Sequence, residues 1–199
     1  MILCTLLIII LSLFSSIQNR KLSSANSELS HTAFLDKHTG LPNKSKCEEL
    51  LNTPGELDLS TACMMFDLNN LKKVNDAMGH QAGDNMIRSF AQLLRKAVPP
   101  TEFVGRYGGD EFIVIMNEVT PGEVDAFLEK LANMTVDYNR SGTQLMPVIP
   151  LSYAAGFAHS AQVPNSTMAS LLKVADSNMY ANKAQIKAAL RKEKQLSFR

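Results

Sequence analysis

Phe103-Val104-Gly105-Arg106-Tyr107-Gly108-Gly109-Asp110-Glu111-Phe112-Ile113-Val114-Ile115-Met116 is the stretch that decides the fold. Two β-prone runs, Phe103 to Tyr107 and Glu111 to Met116, flank a pair of glycines. The pattern predicts a β-hairpin whose tight turn draws on the positive φ that glycine tolerates. Two carboxylates, Asp110 and Glu111, follow the glycines directly, so a hairpin carries them to one edge of a sheet.

Working outward, Ala62 to Phe66 reads as a buried strand ending at Asp67. If this strand and the hairpin are neighbours, the carboxylates of Asp67 and Asp110 converge. Ala82 to Val98 carries Met86, Ile87, Phe90, Leu93, Leu94 and Ala97 at helical spacing and is stopped by Pro99-Pro100. Asn43 can cap a helix through Leu51. Pro121 to Met134 and Met168 to Leu190 read as helices, the last with a basic end, and Val148 to His159 reads as a strand. The expected fold class is α+β, an α/β sandwich of one sheet covered by helices.

At 199 residues the chain has the size of one domain plus a short hydrophobic segment. The net charge of +1 argues against a surface for coating DNA or RNA, though not against holding one nucleotide. Cys4, Cys47 and Cys63 show no zinc spacing, and a sparse, odd set fits a reducing compartment. Cys63, inside an apolar run, reads as a core residue.

Met1 to Ile17 contains no charge, and Arg20 and Lys21 follow it. As a helix it reaches roughly 26 Å, just short of a bilayer core of roughly 30 Å. A signal peptide carries its positive charge before the apolar stretch, whereas here it comes after. The expectation is a single membrane anchor over residues 1–19 in the inner membrane, with the rest cytoplasmic by the positive-inside rule. Residues 20–35 read as a helical stalk, with Leu22, Ala25, Leu29 and Ala33 as its thin stripe. Residues 36–191 form the main domain and 192–199 a C-terminal tail.

A lone Asp beside a turn is ordinarily a solvated turn residue. The surrounding strings outweigh that reading. Arg106 to Phe112 reads RYGGDEF, and Phe66 to Asp76 is similar to a pattern FDxDxFKxxND. Gly79-His80 with Gly83-Asp84 fits GHxxGD, Asp36 to Asn43 is similar to DxLTGLxN with His38 where Leu is usual, and Ala175 to Lys183 fits ADxxMYxxK. These blocks, in this order over roughly residues 36–187, resemble the GGDEF family of diguanylate cyclases.

The resemblance implies a mostly antiparallel sheet like that of nucleotidyl cyclases and polymerase palms. It implies a nucleotidyltransferase that condenses two GTP into cyclic di-GMP and two pyrophosphates across a homodimer. Asp67, Asp110 and the Leu68 carbonyl would ligate Mg²⁺, or Mn²⁺ in its place. Asp110 would serve as general base, with Glu111 beside it sharing metal or proton handling. Lys72 would stabilise charge on the reacting phosphate. Gly108 and Gly109 would let backbone approach the phosphates. Asn75 and Asp84 would read guanine, whose N1–H and N2–H suit a carboxylate, and Lys183 and Lys187 would hold the triphosphate. His80 reads as structural, shaping the turn before the 82–98 helix.

The chain departs from the family at several places. The inhibitory product motif RxxD is replaced by Pro99-Pro100-Thr101-Glu102, so product inhibition by that route is not expected. Lys44 and Lys187 stand where Arg is usual, which trades a bidentate fork for a point charge. The alternative function is a catalytically silent module that senses nucleotide or scaffolds partners at the membrane.

Overall fold

The computed structural model describes residues 15–18, 33–141 and 149–197. By contacts the chain divides into two units, residues 1–35 and 36–199. Of the first unit, residues 15–18 are helical. The rest of the expected anchor and nearly all of the stalk lie outside the described residues. Among the described residues, no helix is long and apolar enough to cross a membrane.

The second unit is built on one four-stranded sheet. In chain order it contains α1 (Lys44–Leu51), β1 (Ala62–Leu68), α2 (Leu71–Met78), α3 (His80–Ala97), β2 (Phe103–Arg106), β3 (Glu111–Met116), α4 (Pro121–Arg140), β4 (Tyr153–His159) and α5 (Met168–Ser197). The strand order is β2-β3-β1-β4, and every pairing is antiparallel.

β1 is buried along its whole length because helices cover both faces of the sheet. Met64, Phe66 and Leu68 share one face with Phe112, Val114 and Met116, packed against Phe90 and Leu94 of α3 and Leu131 of α4. Cys63, Met65, Ile113 and Ile115 face Cys47 and Leu51 of α1 and Leu171, Ala175 and Met179 of α5. This two-sided burial explains why β1 reads as an unbroken apolar run rather than an alternating one. Phe90 ties the larger core together, edge-on to Phe112 at 5.1 Å and to Phe66 at 6.0 Å between ring centroids. Fully burying such a ring stabilises by about 2–3 kcal/mol.

The helix ends follow their sequence signals. Asn43 caps α1, its Oδ1 accepting from Lys46 N at 3.1 Å. Thr120 and Glu123 form a reciprocal capping box at the start of α4, with Pro121 in the first turn.

Four expectations need correction. The hairpin turn spans Tyr107 to Asp110, and neither of its glycines has positive φ; among the described residues the positive-φ glycines are Gly40, Gly55 and Gly79. Gly108 is small for lack of space, since a Cβ there would overlap Glu111 Oε2, while Gly109 faces open space. A helix, α2, intervenes between β1 and Gly79; Leu71, Val74, Ala77 and Met78 recur at helical spacing, and Val74 is its one buried residue. β4 begins at Tyr153, since Asn139 instead binds both the N–H and the carbonyl of Leu151. Finally, α5 runs to Ser197 rather than ending at Leu190, because Arg, Lys, Glu and Gln continue it without a breaker.

α5 is locked against the edge strand β4. Asn178 Nδ2 donates to Phe157 O at 2.8 Å, and Asn182 Oδ1 accepts from Ala155 N at 3.1 Å, so the open sheet edge is capped by helix side chains. Gly156 lets the two backbones meet. A Cβ there would run into Met179 N and Ala175 O and lie 2.6 Å from Asn178 C. This contact fixes where the next turn of α5, with Lys183, is delivered.

Candidate functional site

The register of β1 against β3 places Asp67 opposite Glu111. Just beyond, Leu68 N donates to Asp110 O at 2.9 Å. The strands are therefore neighbours, and Asp67, Asp110 and Glu111 reach the same end of the sheet. α5 crosses above them, and Lys183 Nζ sits 2.5 Å from Asp67 Oδ1. Both partners are largely enclosed, with side-chain exposures of 24% and 10%.

The Glu111 carboxyl is pushed above its ordinary range, first by burial and then by the charges of Asp110, Asp67 and Asp176; Lys183 opposes the shift. Three acids at one sheet end, answered by one enclosed lysine, leave excess negative potential that attracts a further cation. Among the described residues no group of three or more His, Cys, Asp and Glu side chains gathers as a ligand set. A cation here would rely on two carboxylates, backbone oxygen and oxygens of its own ligand, the donor set that suits a hard divalent ion.

Two clefts open from this point. One, of about 360 Å³, is lined by Leu68, Lys72, Asp110, Lys183 and Lys187 among others. It gathers four lysines, Lys72, Lys73, Lys183 and Lys187, against two carboxylates, Asp76 and Asp110, and fits an extended polyanion. The second, of about 490 Å³, is lined by Leu71, Asn75, His80, Ile87, Arg106 and Gly109. Leu71, Lys72, Asp76 and Asp110 line both. The clefts thus join at these four residues, the first adding Lys73, Lys183 and Lys187 and the second adding Asn75, His80 and Arg106 beside the apolar Ile87.

Arg106 is anchored from two directions. Its Nη1 donates to both oxygens of Asp36 at 3.0 Å, and its Nη2 donates to Gly109 O at 2.7 Å. Asp36 also accepts from Thr39 N and Oγ1, so the turn at Asp36 and the glycine turn are fastened to one another. Burial alone would raise the Asp36 carboxyl, but the hydrogen bonds from Thr39 and Arg106 outweigh it and hold it below the ordinary value. Among the described residues, two buried side-chain polar atoms lack any hydrogen-bond partner, Asn75 Oδ1 and Arg106 Nε. Both belong to residues lining the second cleft.

The sequence candidates divide as follows. Lys72, Asp110, Lys183 and Lys187 line the cationic cleft with Leu68, and Asn75 and Gly109 line the other. Asp67 lies beneath Lys183, and Glu111 lies under Gly108. Asp84 is half-buried on α3 next to Gly83 and lines neither cleft. Sequence reasoning missed Asp76 and Arg106 as lining residues, and it took His80 for a turn residue. His80 is instead the exposed first residue of α3 on the wall of the second cleft. All three stand within motif blocks, which is the signal that could have found them. His159 is a satisfied core residue, its Nδ1 accepting from Ala161 N and its Nε2 donating to Val119 O.

Residues 33–189 match the family described as diguanylate cyclase, GGDEF domain. The chain is 32% identical over 172 residues to the signalling protein YkoW of Bacillus subtilis, covering 84% of this chain and 21% of that protein. It is 29% identical over 179 residues to the diguanylate cyclase TpbB of Pseudomonas aeruginosa, covering 86% of this chain and 40% of that one. The chain therefore spans well under half the length of these relatives. Among solved structures, the coiled coil and GGDEF domain of DgcB from Caulobacter crescentus, in complex with c-di-GMP, superposes with a TM-score of 0.73 at 26% identity, covering 86% of this chain and 91% of that one. The GGDEF domain of the same protein, again with c-di-GMP, gives 0.65 at 28% identity over 77% and 89% of the two chains. With a match over most of its length and the antiparallel sheet in place, the chain belongs to the GGDEF, diguanylate cyclase, family.

Proposed function

We propose that this chain is a diguanylate cyclase that joins two GTP molecules into cyclic di-GMP and releases two pyrophosphates. The observation that carries the reading is the junction of the two clefts at Lys72 and Asp110. A nucleotide laid across it rests its phosphates among Lys72, Lys183 and Lys187 and its base beside Asn75.

Each subunit of a homodimer holds one GTP, and the 3′-hydroxyl of each attacks the α-phosphate of the other. A new P–O bond forms, the bond to the β-phosphate oxygen breaks, and the hydroxyl proton passes to Asp110 as general base. Asp67 and Asp110 carry the carboxylates, and Leu68 the carbonyl, that suit Mg²⁺, or Mn²⁺ in its stead. When bound, the ion supplies charge neutralisation on the triphosphate and the departing pyrophosphate. Lys72 directs a cation at the reacting phosphate. Asn75 and Asp84 select guanine, Asp84 from its half-buried position on α3. Catalysis is chiefly positioning and electrostatics, so whatever pairs subunits sets the rate. The uncharged run Met1 to Ile17, with Arg20 and Lys21 after it, supports tethering at the inner membrane with the cyclase on the cytoplasmic side.

The test is the full chain incubated with GTP and Mg²⁺ and the products resolved by chromatography. Cyclic di-GMP from the wild type, and none from Asp110→Ala, is the expected result. GTP that is bound but never converted, even with subunits forced together, overturns the reading in favour of a silent nucleotide sensor.

A further inference from the structure

Gly83 lies on α3, where Ala would be the better helix former and no positive φ calls for glycine. It is buried, and the space over its Cα is taken by the amide of Asn75 from α2. An added Cβ would overlap Asn75 Oδ1 outright, stand 2.9 Å from Asn75 Cγ and 3.1 Å from Leu71 Cδ1. That same Oδ1 is one of the two buried side-chain atoms, among the described residues, with no hydrogen-bond partner. A buried acceptor left unsatisfied costs stability, and a ligand donor that reaches it recovers that cost.

We propose that Gly83 is a positioning residue for base recognition: its missing side chain seats the Asn75 amide at the second cleft, where the amide engages the purine. The proposal rests on the cyclase reading for the identity of the base. A methyl at residue 83 strikes the end of the Asn75 side chain first, so the amide must leave its seat. Of the phosphate-side residues, Lys183 and Lys187 lie on α5, a different element from Asn75 and Gly83. The loss therefore falls on base-dependent binding and KM, with little change in kcat at saturating substrate.

The experiment is a double-substitution cycle in the full chain, with GTP and inosine triphosphate binding measured by calorimetry. Inosine triphosphate lacks the 2-amino donor. Gly83→Ala alone should weaken GTP binding about tenfold and reduce the preference for GTP over inosine triphosphate. In an Asn75→Ala background, where of the three near atoms only Leu71 Cδ1 at 3.1 Å remains in the way of the methyl, Gly83→Ala should weaken GTP binding no further. This second variant also reads the proposal if Gly83→Ala alone proves poorly folded. Penalties that simply add, or unchanged GTP binding by Gly83→Ala, overturn the proposal and leave the cyclase reading intact. A wild type that binds no guanine nucleotide overturns both.

Discussion

The two clefts that meet at Asp110 are built on opposite electrostatic plans. On the phosphate side the ionic groups answer one another within the protein: Asp67 is held by Lys183 at 2.5 Å, and Lys72 and Lys187 face the solvent-open space nearby. On the base side Arg106 is likewise paired, with Asp36, but two polar atoms, Asn75 Oδ1 and Arg106 Nε, are buried without partners. The difference follows from the cost of each arrangement. An enclosed, unpaired carboxylate is far too costly to leave waiting for a ligand, whereas an unpaired amide oxygen costs about 1–3 kcal/mol and can wait. Charge is therefore compensated internally on both sides, and a modest polar deficit is left only where a base is to be chosen.

The sharpest way to break this comparison is Asp67→Asn. It removes a carboxylate from the reacting end and strands Lys183 beside a neutral amide. Cyclic di-GMP formation should fall about 10³-fold, read by chromatography of single-turnover reactions. Asn75→Ala on the base side should cost only about tenfold in binding. If the two losses prove equal, the contrast between a committed ionic side and a tolerant polar side fails.

Next in size is the anchor of Arg106, whose guanidinium is largely enclosed with Asp36 at side-chain exposures of 12% and 19%. Asp36→Asn should destabilise by about 2 kcal/mol, a fall in Tm of about 4–8 °C for a chain of this length. The pH dependence has a definite sign. The Asp36 carboxyl in the folded protein titrates below its ordinary value of 3.8, so its contribution is present above that value and lost as pH falls through the lower, folded one. The Tm gap between wild type and Asp36→Asn should thus be constant at neutral pH and close only below about pH 3.8. A gap that closes already at pH 5–6 would assign the effect to another group.

Smaller again is Lys187, exposed on α5 at the rim of the phosphate cleft. Lys187→Ala should raise the KM for GTP about threefold with kcat unchanged, and added salt should shrink the difference because exposed charges are screened. A large, salt-insensitive loss would mean that Lys187 belongs with Lys183 in the enclosed part of the site.

How much of this was legible in the sequence depended on whether the signal was local. β1, the hairpin and α3 announced themselves, since an apolar run, paired glycines and a stripe ending at Pro99-Pro100 are all short-range patterns. The carboxylates 67, 110 and 111 could be placed at one sheet end as soon as the strands were taken as neighbours. α2 went unread although Leu71, Val74, Ala77 and Met78 recur at helical spacing, because eight residues make only about two turns and the string was taken as a motif. The role of the hairpin glycines was misread because sequence shows that a residue is small, not whether φ or space demands it. The pairs that give the site its character, Asp67 with Lys183 and Asp36 with Arg106, are separated by 116 and 70 positions, and nothing local encodes them.

Glu111 supplies the smallest and most discriminating test. Its carboxyl is raised by burial first and by Asp110, Asp67 and Asp176 next, so the folded state holds its proton more tightly than the unfolded chain does. For an acid shifted in this direction the sign reverses relative to Asp36. The charged form is a strain on the fold that is absent below the ordinary value of 4.5 and is fully present once pH has risen past the folded value. Glu111→Gln keeps the shape beneath Gly108 while removing that charge. With a chelator present to exclude metal, Tm should rise by about 1–2 °C at pH 7, a small gain because water still screens a half-buried group. The gain should vanish below pH 4.5, while cyclase activity measured with Mg²⁺ falls. More stability with less turnover is the signature of repulsion retained for chemistry. A Glu111→Gln variant that loses stability at neutral pH would show instead that this carboxylate belongs to the internally compensated set, with Asp67.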